Sequence, residues 1–259
     1  MVDGGRFGLA ELDLKKAFGE SGCPICRLKR DSARRYIDHL LWENVNDTTT
    51  RILLARSLGF CPEHTWYMYH AERDAYGDWL GLAIIYKDLT QLVNSHLAGF
   101  EARLPVNAAP PTRWWERGWK RLTRALGRPS APATAPGLES LSPQATCRAC
   151  FYAENSERNN VGWLVEGFAD EALRRSYAAS EGLCLTHLRQ ALQYAVCVRH
   201  EVARFLAEDA LTRLSALTND LGEYARKRAW QYRHETVSAG EQDSPRRASQ
   251  FFGGHDRWA

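Results

Sequence analysis

The chain has 259 residues, of which 44% are hydrophobic and 25% are charged, and these proportions are typical of a soluble globular protein. No apolar run approaches the roughly 18 residues that a membrane-spanning helix needs, and the N-terminus lacks the apolar stretch of a secretory signal, so we expect a cytoplasmic protein. The net charge of +3 is too small to indicate that the chain as a whole binds nucleic acid.

Helical patterns run through the N-terminal half of the sequence. After Cys26, apolar residues recur at helical spacing opposite a charged face. Asp47 or the threonine after it is suited to cap a second helix, which Gly59 is expected to end in the left-handed conformation. Pro62 suits the first turn of a third helix, and a longer helix is predicted from about 78 to 101.

Two stretches rich in proline and alanine, 104–112 and 128–146, interrupt this pattern, because proline cannot propagate a helix or a central strand. Beyond them the helical pattern resumes, ending in a long run from about 185 to 233. Alternation typical of strands is scarce, so the sequence predicts an all-α protein. The predicted division is 1–104 for a first repeat, 105–146 for a linker, 147–236 for a second repeat and 237–259 for a mobile tail.

Six of the seven cysteines fall into a duplicated frame, Cys-x-x-Cys followed at a distance by Gly-x-Cys-x-x-His. The interval between the two motifs is 34 residues in the first copy and 33 in the second, and "ARSLGFC" (55–61) matches "AASEGLC" (178–184) in register. The two copies are Cys23, Cys26, Cys61 and His64, and then Cys147, Cys150, Cys184 and His187. A chance origin does not explain this repetition.

Three thiolates and one imidazole form a complete ligand set for tetrahedral Zn²⁺. A gap of two residues lets both members of a pair turn toward one ion, and a helix N-terminus stabilises thiolates. We therefore predict two zinc ions per chain, one in each copy, and each would staple the ends of a helical hairpin of about 35 residues. Arg27 and Lys29 are placed to offset the negative charge of the first site. Since protein fills all four positions, the predicted sites are structural.

Other interpretations of the cysteines stay open. Cys23 and Cys26 resemble the dithiol of a thioredoxin-like enzyme, although the βαβ context that such an enzyme needs is missing. An iron–sulfur cluster with three cysteines and one histidine is chemically possible. Ordinary packing cysteines fit either half alone but leave the duplication unexplained. Cys197 lies outside the frame, and we expect it to be a small buried hydrophobic residue.

The frame resembles an uncharacterised bacterial family known only as a domain of unknown function. The matching segments are "AFGESGCPIC" (17–26), "GFCPEH" (59–64), "CRAC" (147–150), "GLCLTH" (182–187), "EYARKRAWQYRHE" (223–235) and "SPRRASQFFGG" (244–254). Two features depart from the family pattern: Leu183 stands where the second glycine motif has an aromatic residue, and the Pro/Ala-rich insert is particular to this chain. The resemblance supports the metal frame and implies no activity.

A basic, tryptophan-rich segment at 113–128 is a candidate surface for partners. It is predicted to form a short amphipathic helix, with tryptophans on one stripe and basic residues mostly elsewhere. Such a helix would suit an anionic membrane surface, or nucleic acid, or packing on the protein's own helices. Its candidate binding residues are Trp114, Trp115, Arg117, Trp119, Lys120, Arg121 and Arg124.

The sequence contains no carboxylate pair, nucleophile elbow, phosphate-binding loop or dinucleotide fingerprint. The first hypothesis is therefore a non-catalytic binding or adaptor protein, stabilised by zinc, with an unidentified protein partner. A thiol-redox sensor or oxidoreductase that uses the Cys-x-x-Cys pairs is the alternative.

Overall fold

The computed structural model describes residues 4–103 and 138–254, and the side chains from residue 8 onward. Within these ranges every long regular element is an α-helix and no strand is present, which confirms the all-α prediction. The ten α-helices of these ranges are α1 Gly4–Phe18, α2 Pro24–His39, α3 Thr48–Arg56, α4 Pro62–Tyr76, α5 Leu80–Glu101, α6 Arg148–Gly167, α7 Glu171–Ala178, α8 Leu185–Val198, α9 His200–Arg228 and α10 Ala239–Gly253.

The predicted helix boundaries have clear local causes. The side chain of Asp47 accepts a hydrogen bond from the backbone N–H of Thr50 and so caps α3. Gly59 has a φ of +88°, the left-handed conformation predicted for the end of this segment. The long run predicted over 185–233 contains two long helices, because Arg199 between α8 and α9 has non-helical backbone angles of −152° and 89°.

The chain divides into two compact units, Met1–Ile37 with Ala149–Ala259, and Asp38–Arg148. The division predicted from the sequence, with boundaries at 104/105 and 146/147, stays a prediction. The start of α2, which carries the first Cys-x-x-Cys, belongs with the C-terminal part of the chain. The physical reason lies in the metal-ligand clusters described below.

The core of the first unit is built around aromatic side chains from several helices. Phe168 and Tyr177 are fully buried, and their ring centroids lie 5.0 Å apart. Phe18 of α1 meets Tyr177 edge to face at 5.7 Å. Since each such ring buries about 150–250 Å² of surface, this cluster is a major source of packing energy in the unit.

The second unit has a smaller core, which includes Leu54, Met68 and Ile85. Glu72 of α4 is also buried, and its carboxylate accepts hydrogen bonds from the backbone N–H groups of Gly81 at 2.5 Å and Leu82 at 2.8 Å. These groups are unpaired donors at the N-terminus of α5, where the helix dipole favours a negative charge. The buried carboxylate therefore joins α4 to the start of α5.

The predicted mobile tail is wrong for the described part of 237–259, because residues Ala239–Gly253 form α10. Ser238 and Glu241 form a capping box at its start, in which each side chain accepts a hydrogen bond from the other residue's backbone N–H. Lys227 of α9 pairs with the Glu241 carboxylate at 2.8 Å. The capping box and this ion pair give the segment a defined helical start against α9.

Candidate metal centres

The structure brings the eight predicted ligands into two groups of four. One ligand atom of each residue lies within 4.8 Å of the others in its group. The groups are Cys23, Cys26, Cys184 and His187, and Cys61, His64, Cys147 and Cys150. The predicted pairing within each half is therefore wrong, since each Cys-x-x-Cys meets the Cys-x-x-His of the other copy.

The pairing of each Cys-x-x-Cys with the Cys-x-x-His of the other copy changes which parts of the chain an ion would join. In the first cluster the partners are 158 to 164 residues apart in sequence, compared with the predicted span of about 35. In the chain-entropy model a cross-link across roughly 160 residues contributes about 5 kcal/mol, and one across roughly 38 residues about 4 kcal/mol. The main consequence is topological, because the N-terminal helices become fixed to the C-terminal half.

The first cluster has the dimensions of a tetrahedral site for one ion. The Nδ1 atom of His187 lies 3.3 Å from Sγ of Cys23, 3.3 Å from Sγ of Cys26 and 3.1 Å from Sγ of Cys184. The sulfurs of Cys26 and Cys184 are 3.7 Å apart. Ligands at the usual zinc distances would be separated by about 3.8 Å between sulfurs and about 3.5 Å between sulfur and nitrogen. The donor set therefore fits Zn²⁺.

Helix N-termini position these ligands. Cys184 is the N-cap of α8, and His187 lies in the first turn, so both face the same side. Gly182, with a φ of +80°, reverses the chain just before Cys184. Gly22 does the same before Cys23 with a φ of +88°, so both ligand-bearing turns of the cluster depend on a left-handed glycine.

Three side chains outside the ligand set hold His187 in place. Its Nε2 atom lies 3.0 Å from Oε1 of the buried Glu157, which also accepts a hydrogen bond from Gln190 at 3.0 Å. Lys29 pairs with the other carboxylate oxygen of Glu157 at 2.6 Å. A carboxylate behind a ligating histidine fixes its tautomer and leaves Nδ1 free to bind the ion.

Sequence reasoning missed Glu157, and it placed Lys29 and Arg27 beside the thiolates. Lys29 instead neutralises Glu157, and Arg27 pairs with Glu20 at 2.6 Å. The signal for Glu157 was a single acidic residue on a mainly apolar buried face of α6, which includes Ala153 and Val161. A buried carboxylate needs partners, and its position facing a ligand appears only in the folded chain.

The titratable groups of the first cluster influence one another strongly. Burial and the neighbouring thiols raise the pKa of the Cys23 thiol, whereas hydrogen bonds from Cys23 and Cys26 lower the pKa of Cys184. Burial alone would lower the pKa of His187, but its contacts with Cys184 and Cys26 raise it to about 10. The thiols and the imidazole thus shift one another's pKa, and a divalent cation bound among them would take the place of their protons.

Glu157 keeps its charge in this setting. Burial raises the pKa of its carboxyl group, but hydrogen bonds from Lys29 and Gln190 outweigh burial, and the pKa is lowered overall. An ionised Glu157 accepts a hydrogen bond from the Nε2–H group of His187, and Nδ1 is then the nitrogen available to a metal ion.

The second cluster uses the same local geometry. Sγ of Cys61 lies 3.2 Å and Sγ of Cys147 lies 3.7 Å from Nδ1 of His64. Cys61 is the N-cap of α4, with backbone angles of −65° and 164°, close to the −70° and 163° of Cys184. Cys147 is buried, and the other three ligands, Cys150 among them, are half-buried.

The residues that surround the ligands differ between the two clusters. Glu157 stands ten positions after Cys147, and the position ten after Cys23 holds Ala33. Gln190 stands three positions after its ligand histidine, where the other copy has Tyr67. The duplication thus repeats the ligands and not the residues that surround them.

The remaining predicted sites have different outcomes. Cys197, expected to be buried, is exposed on α8. The part of the chain that is described contains no other group of three or more potential metal ligands. The candidate binding residues of 113–128 lie outside the described residues. No helix within the described ranges combines the length and apolar character needed to cross a bilayer.

Comparison with known proteins gives a family and no activity. An uncharacterized 23.9 kDa protein in the xynA 3' region of Caldicellulosiruptor sp. (strain Rt8B.4) is 36% identical over 72 residues, which are 28% of this chain and 32% of that protein. The chain therefore matches about a third of that relative's length. No solved structure matches. The model of a family described as "Family of unknown function (DUF6062)" matches residues 8–257, and the chain therefore belongs to this family.

Proposed function

We propose that this protein is a zinc-stabilised helical scaffold with two structural Cys₃His sites, which acts as a non-catalytic binding or adaptor module in the cytoplasm. The observation that carries the proposal is the exchanged pairing of two complete donor sets. Four protein ligands leave no position for water or substrate, and this is the property of a structural zinc site. The two ions would join parts of the chain that are distant in sequence.

The spacing of the donors favours one ion over a polynuclear cluster. In an iron–sulfur cluster the four protein ligands are divided among two or four iron atoms, and ligands on different irons are held farther apart than the ligands of a single ion. All four donor atoms of the first cluster lie within 4.8 Å of one another, which suits a single ion. Purified full-length protein should contain about two zinc per chain by elemental analysis. A fully folded protein without metal, or one with iron and acid-labile sulfide, would refute this part of the proposal.

The binding role is supported by an aromatic surface on the second unit. Trp42 and Trp66 are 70% and 62% exposed, and Trp79 is 40% exposed. Tyr69 stacks on Trp79 with a centroid distance of 5.5 Å and meets Trp66 edge to face at 5.8 Å. Large exposed aromatic groups are enriched in protein interfaces.

The adaptor role can be tested by comparing cross-linked partners of the full chain with those of Trp66→Ala. Trp230→Ala is the matched control, because Trp230 is 75% exposed but lies outside this surface. We expect a discrete partner to be cross-linked by the unsubstituted chain and by Trp230→Ala but not by Trp66→Ala. The zinc content of both variants should be unchanged. Identical profiles for the three proteins would argue against this surface.

A thiol-redox switch is the second candidate, and the observation that favours it is the crowding of three sulfurs around one imidazole in the first cluster. Oxidation would release the ion and join two of the thiols as a disulfide. Mass spectrometry after mild peroxide treatment tests this candidate. Retained zinc with unmodified thiols would count against it.

Binding of nucleic acid or an anionic membrane through 113–128 stays a prediction. Deletion of these residues should reduce binding to anionic liposomes or to nucleic acid at low salt, where phosphate contacts are strongest. Unchanged binding after the deletion would remove this role.

A further inference from the structure

The C-terminal helix ends directly on the first cluster. A Cβ atom at Gly254 would lie 3.1 Å from Sγ of Cys26 and 3.9 Å from Sγ of Cys184. Gly254 has a φ of +75°, a conformation that glycine adopts readily, and its N–H group donates to the carbonyl of Gln250 at 2.9 Å. The backbone just after α10 therefore packs against two ligand sulfurs, and a side chain at Gly254 would fit only if Cys26 shifted.

A single carboxylate joins α10 to both ligand-bearing turns. Oε2 of Glu181 accepts a hydrogen bond from the N–H of Gly22 at 2.8 Å, and its Oε1 pairs with Arg246 at 3.1 Å. Gly22 directly precedes Cys23, and Glu181 stands three residues before Cys184. The side chain of Gln250 also lies over Gly22, at 3.5 Å from the position of a Cβ atom there.

α10 is held in two parts. Its first turns are fixed to α9 through Glu241 and Lys227. Pro245 then interrupts the hydrogen-bond ladder, because proline has no N–H to donate. After Pro245, the helix contacts the two ligand-bearing turns and packs the partly buried Phe251 against the core of the first unit. The ion pair between Arg247 and Asp220 of α9 is half-exposed and therefore contributes little.

We propose that residues 246–254, the C-terminal half of α10 with Gly254, form a cover over the first cluster that stays closed only while the metal is bound. The inference rests on the proposed zinc site. The surface under the cover consists of two turns that are about 160 residues apart in the chain, and the ion holds them together. Without the ion the two turns separate, the contacts of Glu181 are lost on one side, and the segment after Pro245 detaches.

Release of the cover would expose an apolar cavity. The space between α9, α10 and the two ligand-bearing turns has a volume of about 330 Å³. Its walls include Leu183, Leu188, Leu217 and Phe251. While the cover is closed, it shields the sulfur of Cys26. When zinc is lost and the cover opens, the apolar walls of the cavity become accessible.

Amide hydrogen exchange of the full-length chain tests the cover directly. We compare the zinc-loaded protein with the same protein after chelation and measure peptides from 239–254. Exchange in 246–254 should become faster by about tenfold or more after chelation, while 239–244, held by α9, should change much less. Equal protection of 246–254 in both states would overturn the proposal.

A pair of neighbouring glycines provides the matched variants. Gly254→Ala places a methyl group against Sγ of Cys26 in a conformation unfavourable to alanine, whereas a Cβ at Gly253 meets nothing within 4 Å. In the zinc-loaded state, Gly254→Ala should exchange faster over 246–254 and transfer one zinc faster to a chelator, each by about tenfold. Gly253→Ala should match the unsubstituted chain. If the two variants behave alike, the cover is refuted.

Zinc content, measured on the same samples, separates this proposal from the one on which it rests. A chain that binds no zinc refutes the structural zinc sites. A chain that binds two zinc ions, and in which chelation and Gly254→Ala leave 246–254 protected, refutes the cover alone.

Discussion

Nε2 of His187 lies 3.0 Å from Oε1 of Glu157, although 30 residues separate the two in sequence. This contact orients the imidazole so that Nδ1 faces the three thiols of the first cluster. Because Glu157 is also paired with Lys29, it can stay ionised while buried. The contact between Glu157 and His187 thus pre-organises the four ligands of the first cluster.

Substitution of Glu157 should weaken the first centre without removing a ligand. Glu157→Gln removes the charge that fixes His187, and loss of such a partner typically lowers metal affinity by about 10- to 100-fold. Competition with a chromophoric chelator should show that one of the two zinc ions is bound more weakly. Glu154→Gln, an exposed change on the same helix, is the control. Equal affinities for the two variants would show that Glu157 does not act on the metal.

Double substitutions can prove the exchanged pairing by zinc content alone. Cys26→Ser with Cys184→Ser damages a single centre and should leave about one zinc per chain. Cys26→Ser with Cys61→Ser damages both centres and should leave none. Pairing within each half predicts the reverse order, so elemental analysis of the two folded variants distinguishes the topologies.

The N-terminal anchor of α10 should respond to acid. Hydrogen bonds from Lys227 and from the backbone of Ser238 hold the pKa of Glu241 below its ordinary value of 4.5. A lowered carboxyl pKa stabilises the fold above the ordinary value, and this contribution disappears as pH falls through the folded value. Glu241→Gln should therefore lower the unfolding midpoint at neutral pH, and the difference should shrink as the pH falls below 4.5 and vanish below the lowered pKa of Glu241.

The control for this experiment is Glu208→Gln, which changes an exposed carboxylate of α9. It should leave the midpoint nearly unchanged at both pH values. A deficit of Glu241→Gln that stays constant at all pH values would contradict the role of its charge.

Alanine substitutions at two glycines of α5 should change the stability of the protein in opposite directions. A Cβ at Gly81 would lie 2.7 Å from Oε1 of Glu72, so Gly81→Ala should disturb the buried carboxylate and destabilise the protein by about 1–3 kcal/mol. Gly99 has nothing within 4 Å of a Cβ, so Gly99→Ala should stabilise the helix by about 0.5–1 kcal/mol. Denaturant unfolding measures both. Equal effects would show that Glu72 does not constrain the start of α5.

Much of the local structure could be predicted because its causes are local. Asp47 caps α3 and Gly59 takes a positive φ, as their residue types suggest. Composition misled the prediction at 237–259, where glycine, serine and charged residues indicated a mobile tail. The helical signal was a serine at 238 followed three residues later by a glutamate, a capping-box pattern whose partner on α9 appears only in the fold.

The sequence by itself determined the chemistry of the two centres, because the duplicated spacing sets which side chains turn toward an ion. It could not determine which pairs combine, since the Cys-x-x-Cys of either copy offers the same thiolates to the Cys-x-x-His of either copy. Tertiary packing decided that question, by placing the start of α2 with α8. It also placed Glu157 behind His187 and Gly254 against Cys26, since contacts between residues far apart in sequence exist only after the chain has folded.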